Sequence, residues 1–252
     1  MNLIKLIDQE LEKKSLTRRA TIAHYPSSAS IIGPIDGTVT GDCLRKQYYK
    51  FKHPELTESV PIGNIWKMEL GNSAHSAVAD ILSKAGLQVK TEVSGEATIP
   101  GLKLPIRYRM DNVIIFEDGH SEGLEIKTTY SYSTEYIRKS NRPKLEHHLQ
   151  ANIYCVLNNF SKFHIVYIDR GSGERYAFEI KPDQNMFTNT VSRWNTLEEY
   201  LDKNELPPRD FNLFINPKTG TMMKEKTVKK VTTKSDWQCL YCSFKKSCWN
   251  LR

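Results

Sequence analysis

Apolar side chains recur along this chain in two rhythms. Over 3–14 they fall at Leu3, Ile4, Leu6, Ile7 and Leu11, the spacing of one helical face, with charged residues opposite. Residues 25–41 lose that rhythm and turn to Ser, Gly, Pro and Thr, which predicts a long loop. Asp42 is placed to cap a helix over 43–52, and His53 with Pro54 ends it, because proline disfavours a helical residue before it. A longer helix is predicted from near 64 to 84, closed by Gly86.

The period then shortens. Residues 88–99, 106–116 and 123–128 alternate or carry β-branched side chains, and Glu117, Asp118 and Gly119 supply a hairpin turn. A helical pattern returns over 144–158. Strands over 163–169 and 174–180 flank the turn residues 170–173, and a last amphipathic helix covers 183–204 until Pro207 and Pro208. Helix, strands, helix, strands, helix around one sheet is an α/β pattern in a single domain over 1–252. Within it, 1–62 is a helical region supplying Cys43, 63–205 the core, and 206–252 a basic tail with a cysteine triplet.

Composition narrows the picture. With 39% hydrophobic residues in 252, the chain has enough apolar side chain to offset its conformational entropy, so disorder is disfavoured. No run approaches 18 apolar residues, which argues against a membrane helix. An acidic residue as early as Asp8 argues against a signal-peptide core, and a cytoplasmic address is expected. The net charge of +7 suggests an anionic partner, nucleic acid first. Part of it lies in 218–234, where six lysines accompany one glutamate; this stretch reads equally as a DNA path or a solvated hairpin.

Five cysteines, an odd number, argue against a closed disulfide framework. Cys239, Cys242 and Cys248 form a C-x2-C-x5-C group, so thiolates can turn toward one metal centre. A fourth ligand is wanted, and Cys43, 196 positions before Cys239, is the natural one. Structural zinc is usually held by two short paired knuckles. One distant cysteine plus a compact triplet fits an iron–sulfur cluster at least as well. Ordinary buried thiols are the plain alternative, disfavoured by three in ten residues. Cys155, amid Ile153, Val156 and Leu157, reads as a core thiol.

A second constellation is acidic. Asp111 interrupts one strand, and in the next, period two puts Glu125 and Lys127 on one face. Carboxylates on adjacent strands can share Mg²⁺ or Mn²⁺, with the carbonyl of Ile126 as another oxygen ligand. Lys127 is placed to assist a water or offset developing negative charge. His75, four residues after Gly71, offers an imidazole, and Gly71 allows another backbone to approach. Gln150 and Tyr154, one helical turn apart, can together meet a nucleic-acid backbone or base. Each also has a bland reading: an edge aspartate, a same-face ion pair, a structural histidine, the wet rim of a core helix.

Their order carries more than any one of them. Cys43 with Arg45 and Tyr48, then Gly71-x3-His75, Asp111, Glu125-x-Lys127, Gln150-x3-Tyr154 and the C-terminal cysteines resemble the PD-(D/E)XK nucleases over roughly 40–250. Within them the set is similar to the RecB-like iron–sulfur branch, to which the CRISPR-associated iron–sulfur exonucleases belong. The resemblance implies a restriction-endonuclease-like α/β core, a mixed central sheet flanked by helices, with a C-terminal iron–sulfur region. It implies that His75, Asp111, Glu125 and the Ile126 carbonyl bind the catalytic Mg²⁺ or Mn²⁺, and that Lys127 is the catalytic lysine. Gln150, Tyr154 and Arg45 would lie beside DNA, and Cys43, Cys239, Cys242 and Cys248 would hold a [4Fe–4S] cluster. Met110 stands where the superfamily motif has proline. The implied activity is a single-stranded DNA exonuclease, 5′ to 3′, in repair, recombination or CRISPR-type adaptation, with a helicase or adaptation protein as partner. The alternative is a non-catalytic DNA-end-binding module of a helicase–nuclease assembly.

Overall fold

The computed structural model describes residues 3–15, 20–33, 36–216, 219, 222–223, 225–228 and 231–251. Helix α1 (Leu3–Ser15) packs on α3 (Ile62–Lys84), and α2 (Leu44–Lys52) lies between them in sequence. Strands β1 (Ser30–Ile32) and β2 (Val39–Gly41) form an antiparallel hairpin where a loop was expected. Packing accounts for it. Ala29 is buried, β1 lies against α6 (Gln184–Lys203), and the Gly41 backbone sits so close to Ala29 that a Cβ would fall 2.0 Å from its carbonyl oxygen.

Asp42 does not cap α2. Its carboxylate pairs with Lys46 at 2.7 Å and Lys50 at 3.0 Å, and the N-cap is Cys43. The free N–H of Leu44 is satisfied instead by Asp210 Oδ2 at 2.7 Å, a cap supplied from 166 residues away.

The centre is a five-stranded sheet in the order β3 (Gln88–Ala97), β4 (Ile106–Ile115), β5 (Ser121–Thr129), β6 (Phe163–Asp169), β7 (Arg175–Ile180). Every neighbouring pair is antiparallel except β5 with β6. A parallel pair needs a crossover, which α4 (Ser131–Ser140) and α5 (Leu145–Asn158) provide. Helix α4 is a further element, between the predicted strand over 123–128 and the predicted helix over 144–158. It is anchored by Ile137, fully buried, and by the Thr134 hydroxyl, 2.7 Å from that of Thr129.

Helix α5 covers one sheet face, where Met110, Ile137, Tyr154, Phe163, Ile165 and Tyr167 share a core; α6 packs behind it through Phe187 and Trp194. Helix α3 covers the other face, with Val78 and Leu82 against Ile114, Leu124 and Ile126. Cys155 is fully buried in the α5 core, as expected, and burial pushes its thiol up to about 12.

After α6 the chain forms the short strands β8 (Phe214–Ile215) and β9 (Met222–Met223), then the hairpin β10 (Glu225–Val228) and β11 (Val231–Lys234). Lys218, Lys224, Lys229 and Lys230 of the basic stretch lie outside the described residues, as do the side chains of Lys226 and Lys234. Helices α7 (Trp237–Leu240) and α8 (Lys245–Trp249) bring the tail back to α2. Phe244, 1% exposed, stacks on Tyr49 with ring centroids 5.4 Å apart, and the Glu58 N–H donates to the Ser243 carbonyl at 2.7 Å. No described helix is long and apolar enough to cross a membrane.

Candidate active site

Strands β4 and β5 pair from Ile115 with Ser121 to Asn112 with Leu124, and then part. Beyond that point the Ile126 N–H would have no ladder partner on its β4 side. Asp111 supplies one, accepting that N–H through Oδ2 at 2.8 Å. In an extended strand the carbonyl of a residue points to the same edge as its N–H, so the Ile126 oxygen also faces the opening.

The other oxygen of Asp111 meets His75 of α3, Nδ1 to Oδ1, at 3.3 Å. The aspartate beside it raises the imidazole's pKa. Glu125 projects toward α5 and is 4% exposed. Its Oε1 accepts from Lys127 Nζ at 2.5 Å and from Gln150 Nε2 at 3.1 Å, while Oε2 is buried with no hydrogen-bond partner. Burial raises the Glu125 pKa, with Lys127 opposing and Asp111 reinforcing the shift. His75, Asp111, Glu125 and Lys127 all open on one cleft of about 1020 Å³.

Gln150 and Tyr154 reach the same place, but with their polar atoms turned inward. Lys127 Nζ also donates to Gln150 Oε1 at 3.3 Å, and Gln150 Nε2 donates to the Tyr154 hydroxyl at 2.9 Å. Tyr154 in turn donates to the Arg109 carbonyl at 3.0 Å. At 7% and 2% exposure, the pair lines the cleft with its polar atoms bonded to Glu125, Lys127 and the Arg109 carbonyl.

Arg45 is not brought to this cleft. Its Nε donates to the Pro207 carbonyl at 2.6 Å, near the thiols. Gly71 admits no backbone either: a Cβ there would meet only the Thr128 hydroxyl, at an ordinary 3.6 Å. Glu92, which no sequence pattern singles out, does converge. One of its oxygens, one of Asp111 and a ring nitrogen of His75 lie within 4.8 Å of one another.

Cys43, Cys239, Cys242 and Cys248 line a second cavity, of about 80 Å³, with Tyr49 and Phe244. On the same measure one water needs roughly 10–15 Å³, so the space exceeds that of a single small ion. Burial raises the thiols of Cys43 and Cys242 and pushes that of Cys239 up to about 12, its neighbours Cys43 and Cys242 adding to the shift. Four half-buried cysteines around one space are a soft donor set suited to an iron–sulfur cluster or zinc.

No family model matches the chain, and no curated protein matches its sequence. Among solved structures, the crystal structure of SSO0001 is similar at 21% identity and a TM-score of 0.60, covering 100% of this chain and 98% of that one. At that identity the likeness is one of fold. LHK-Exo in complex with dAMP gives a TM-score of 0.48 at 16% identity, covering 64% of this chain and 78% of that one. A phage-related exonuclease from Haemophilus somnus 129PT gives 0.38 at 12%, covering 54% and 71%.

Proposed function

We propose that the chain is a Mg²⁺- or Mn²⁺-dependent deoxyribonuclease of the PD-(D/E)XK type, acting as an exonuclease on single-stranded DNA or DNA ends. The observation that carries this reading is Glu125: a buried carboxylate, one oxygen on Lys127 and the other without a protein partner, beside Asp111 and His75. Leaving a buried polar atom unsatisfied is costly, and a cation there removes the cost. His75, Asp111, Glu125 and the Ile126 carbonyl would hold it, a donor set suited to Mg²⁺ or Mn²⁺. When bound, the ion supplies Lewis-acid polarisation of the scissile phosphate and a lowered pKa for the attacking water.

The chain's own residues supply the rest. Lys127, fixed between Glu125 and Gln150, offers an ammonium to the negative charge that builds on the phosphate in the transition state. Gln150 and Tyr154 keep that ammonium and the Glu125 carboxylate in register. Arg107 and Arg109 on the cleft wall, paired with Glu96 and Glu92, offer charge to backbone phosphates, and Tyr25 offers a ring for an unpaired base, which favours a single strand.

In the second cavity, Cys43, Cys239, Cys242 and Cys248 would hold a [4Fe–4S] cluster, which when bound supplies a cross-link between α2 and the C-terminal helices. The 5′ to 3′ direction, a helicase or adaptation partner, and a place in repair, recombination or CRISPR-type adaptation follow from the sequence resemblance. One experiment tests the core of the reading. Protein purified without oxygen is assayed with Mn²⁺ on end-labelled single-stranded DNA, duplex DNA and RNA, and its iron and zinc are measured. Degradation of the single strand by an iron-bearing protein is expected. Binding without cleavage of any of the three would overturn the catalytic reading in favour of an end-binding module.

A further inference from the structure

Glu92 stands apart from the catalytic set described above and has an unusual backbone. Five described non-glycine residues have positive φ, and four are asparagines closing helices α4, α5, α6 and α8. The fifth is Glu92, at φ +53° in the interior of β3. Its neighbours pair normally, Thr91 with Asn112 and Val93 with Met110, but Glu92 and the residue opposite, Asp111, are skipped by the ladder. A side chain with a Cβ rarely sits in this region, and such strain persists where the surroundings enforce it, often at functional sites.

The consequence is positional. In this arrangement a Glu92 carboxylate oxygen lies within 4.8 Å of donors from Asp111 and His75. The same carboxylate pairs with Arg109, whose Nε is 2.8 Å from Glu92 Oε2. Both partners of this pair are at least half exposed, so it is a weak contact that a cation can displace. A second observation points to the same ligand. Glu125 Oε2, on a side chain 5% exposed, has no hydrogen-bond partner, and its carboxylate feels the charges of Asp111 and His75.

We propose that Glu92 is a direct ligand of the divalent cation, beside His75 and Asp111, and that Arg109 is its counter-ion when the cation is absent. This rests on the cation-dependent reading above. Cation binding would then release the Arg109 guanidinium on the cleft wall, where it is free to meet a phosphate of the incoming strand.

The test is Mn²⁺ titration followed by electron paramagnetic resonance, on the full chain without nucleic acid. Glu92→Gln is expected to weaken Mn²⁺ binding at least tenfold, Asp111→Asn to abolish it, and Arg109→Gln to tighten it several-fold by removing the competitor. Wild-type affinity in Glu92→Gln, with binding lost in Asp111→Asn, would overturn the assignment of Glu92 and leave the cation site standing. Unchanged affinity in Asp111→Asn would overturn the site itself. Should Glu92→Gln fail to fold, Arg109→Gln decides alone: tighter binding supports the assignment, and unchanged or weaker binding overturns it.

Discussion

Ile126 donates its backbone N–H to Asp111 at 2.8 Å, across the point where β4 and β5 stop pairing. A side chain thus replaces a ladder bond, and the wedge it props open brings Asp111, Glu125 and His75 together where the two strands separate.

Lys127→Ala removes the one ammonium bonded to Glu125 and Gln150. Cleavage should fall by about 10²–10³-fold, the usual effect of losing one donor to the transition state. Binding of a labelled single strand, followed by fluorescence anisotropy, should change little. Equal loss of binding and cleavage would mean that the lysine serves binding.

Gln150→Ala should act on Lys127 and Glu125 without touching the reacting atoms. A fall of about 10–100-fold in kcat is expected, as for other partners that orient a metal site. Tyr154→Phe keeps the ring and loses the bonds to Gln150 and the Arg109 carbonyl, so its effect should be smaller and in the same direction. Single-turnover rates measure both.

Cys43→Ser is expected to release the C-terminal helices from α2. By the chain-entropy argument a cross-link closing a loop of this length is worth about 5 kcal/mol. At about 2–4 °C per kcal/mol for a chain of this size, the melting midpoint should drop by roughly 10–20 °C, with iron lost. A midpoint within a degree or two of wild type would show that Phe244 on Tyr49 holds the tail unaided.

Gly123→Ala should be costly although the change is one methyl. Gly123 pairs with Phe163 across β5 and β6, and a Cβ would lie 2.1 Å from a ring that is fully buried. Overpacking of this kind costs about 1–3 kcal/mol, readable from urea unfolding.

Acid should destabilise the fold through three histidines. Burial lowers the pKa of His24 and His148 and takes that of His147 well below 6.5. Below pH 6.5 the unfolded chain takes up protons that the folded chain refuses, so stability is lost as pH falls from about 6.5 toward the folded values. Each contributes about 1.4 kcal/mol per pKa unit. His75 has the opposite sign: its contribution is present below 6.5 and fades as pH rises through its raised folded pKa. His147→Gln should flatten the slope of melting temperature against pH between 7 and 5. An unaltered slope would place the acid sensitivity elsewhere.

The helices over 3–15 and 184–203 were legible from an apolar stripe and the five sheet strands from alternation or β-branched residues, while the helix over 62–84 was legible from the Gly86 that closes it. The hairpin at 30–41 and helix α4 were not, because the hairpin strands are three residues each amid Gly and Pro and α4 is short, and contacts with α6 and β5 fix both. Asp111, Glu125, Lys127 and His75 could be singled out by residue type and order. That Gln150 and Tyr154 turn inward, and that Arg45 is tied to Pro207, depends on tertiary geometry that no spacing encodes. The skipped pair at Glu92 and Asp111 was equally hidden. Met110 and Val113, three apart, both reach the α5 core, so strict alternation fails just where the site lies.

The return of the tail to α2 has a consequence for synthesis. Tyr49 and Leu44 are made early, but the groups that cover them, Phe244 and Asp210, leave the ribosome some 160 to 200 residues later. At roughly 5–20 residues per second that delay is on the order of 10–40 s. Helix α2 must therefore wait, partly uncovered, and its four lysine and arginine side chains, Arg45, Lys46, Lys50 and Lys52, keep it solvated until the last helices arrive.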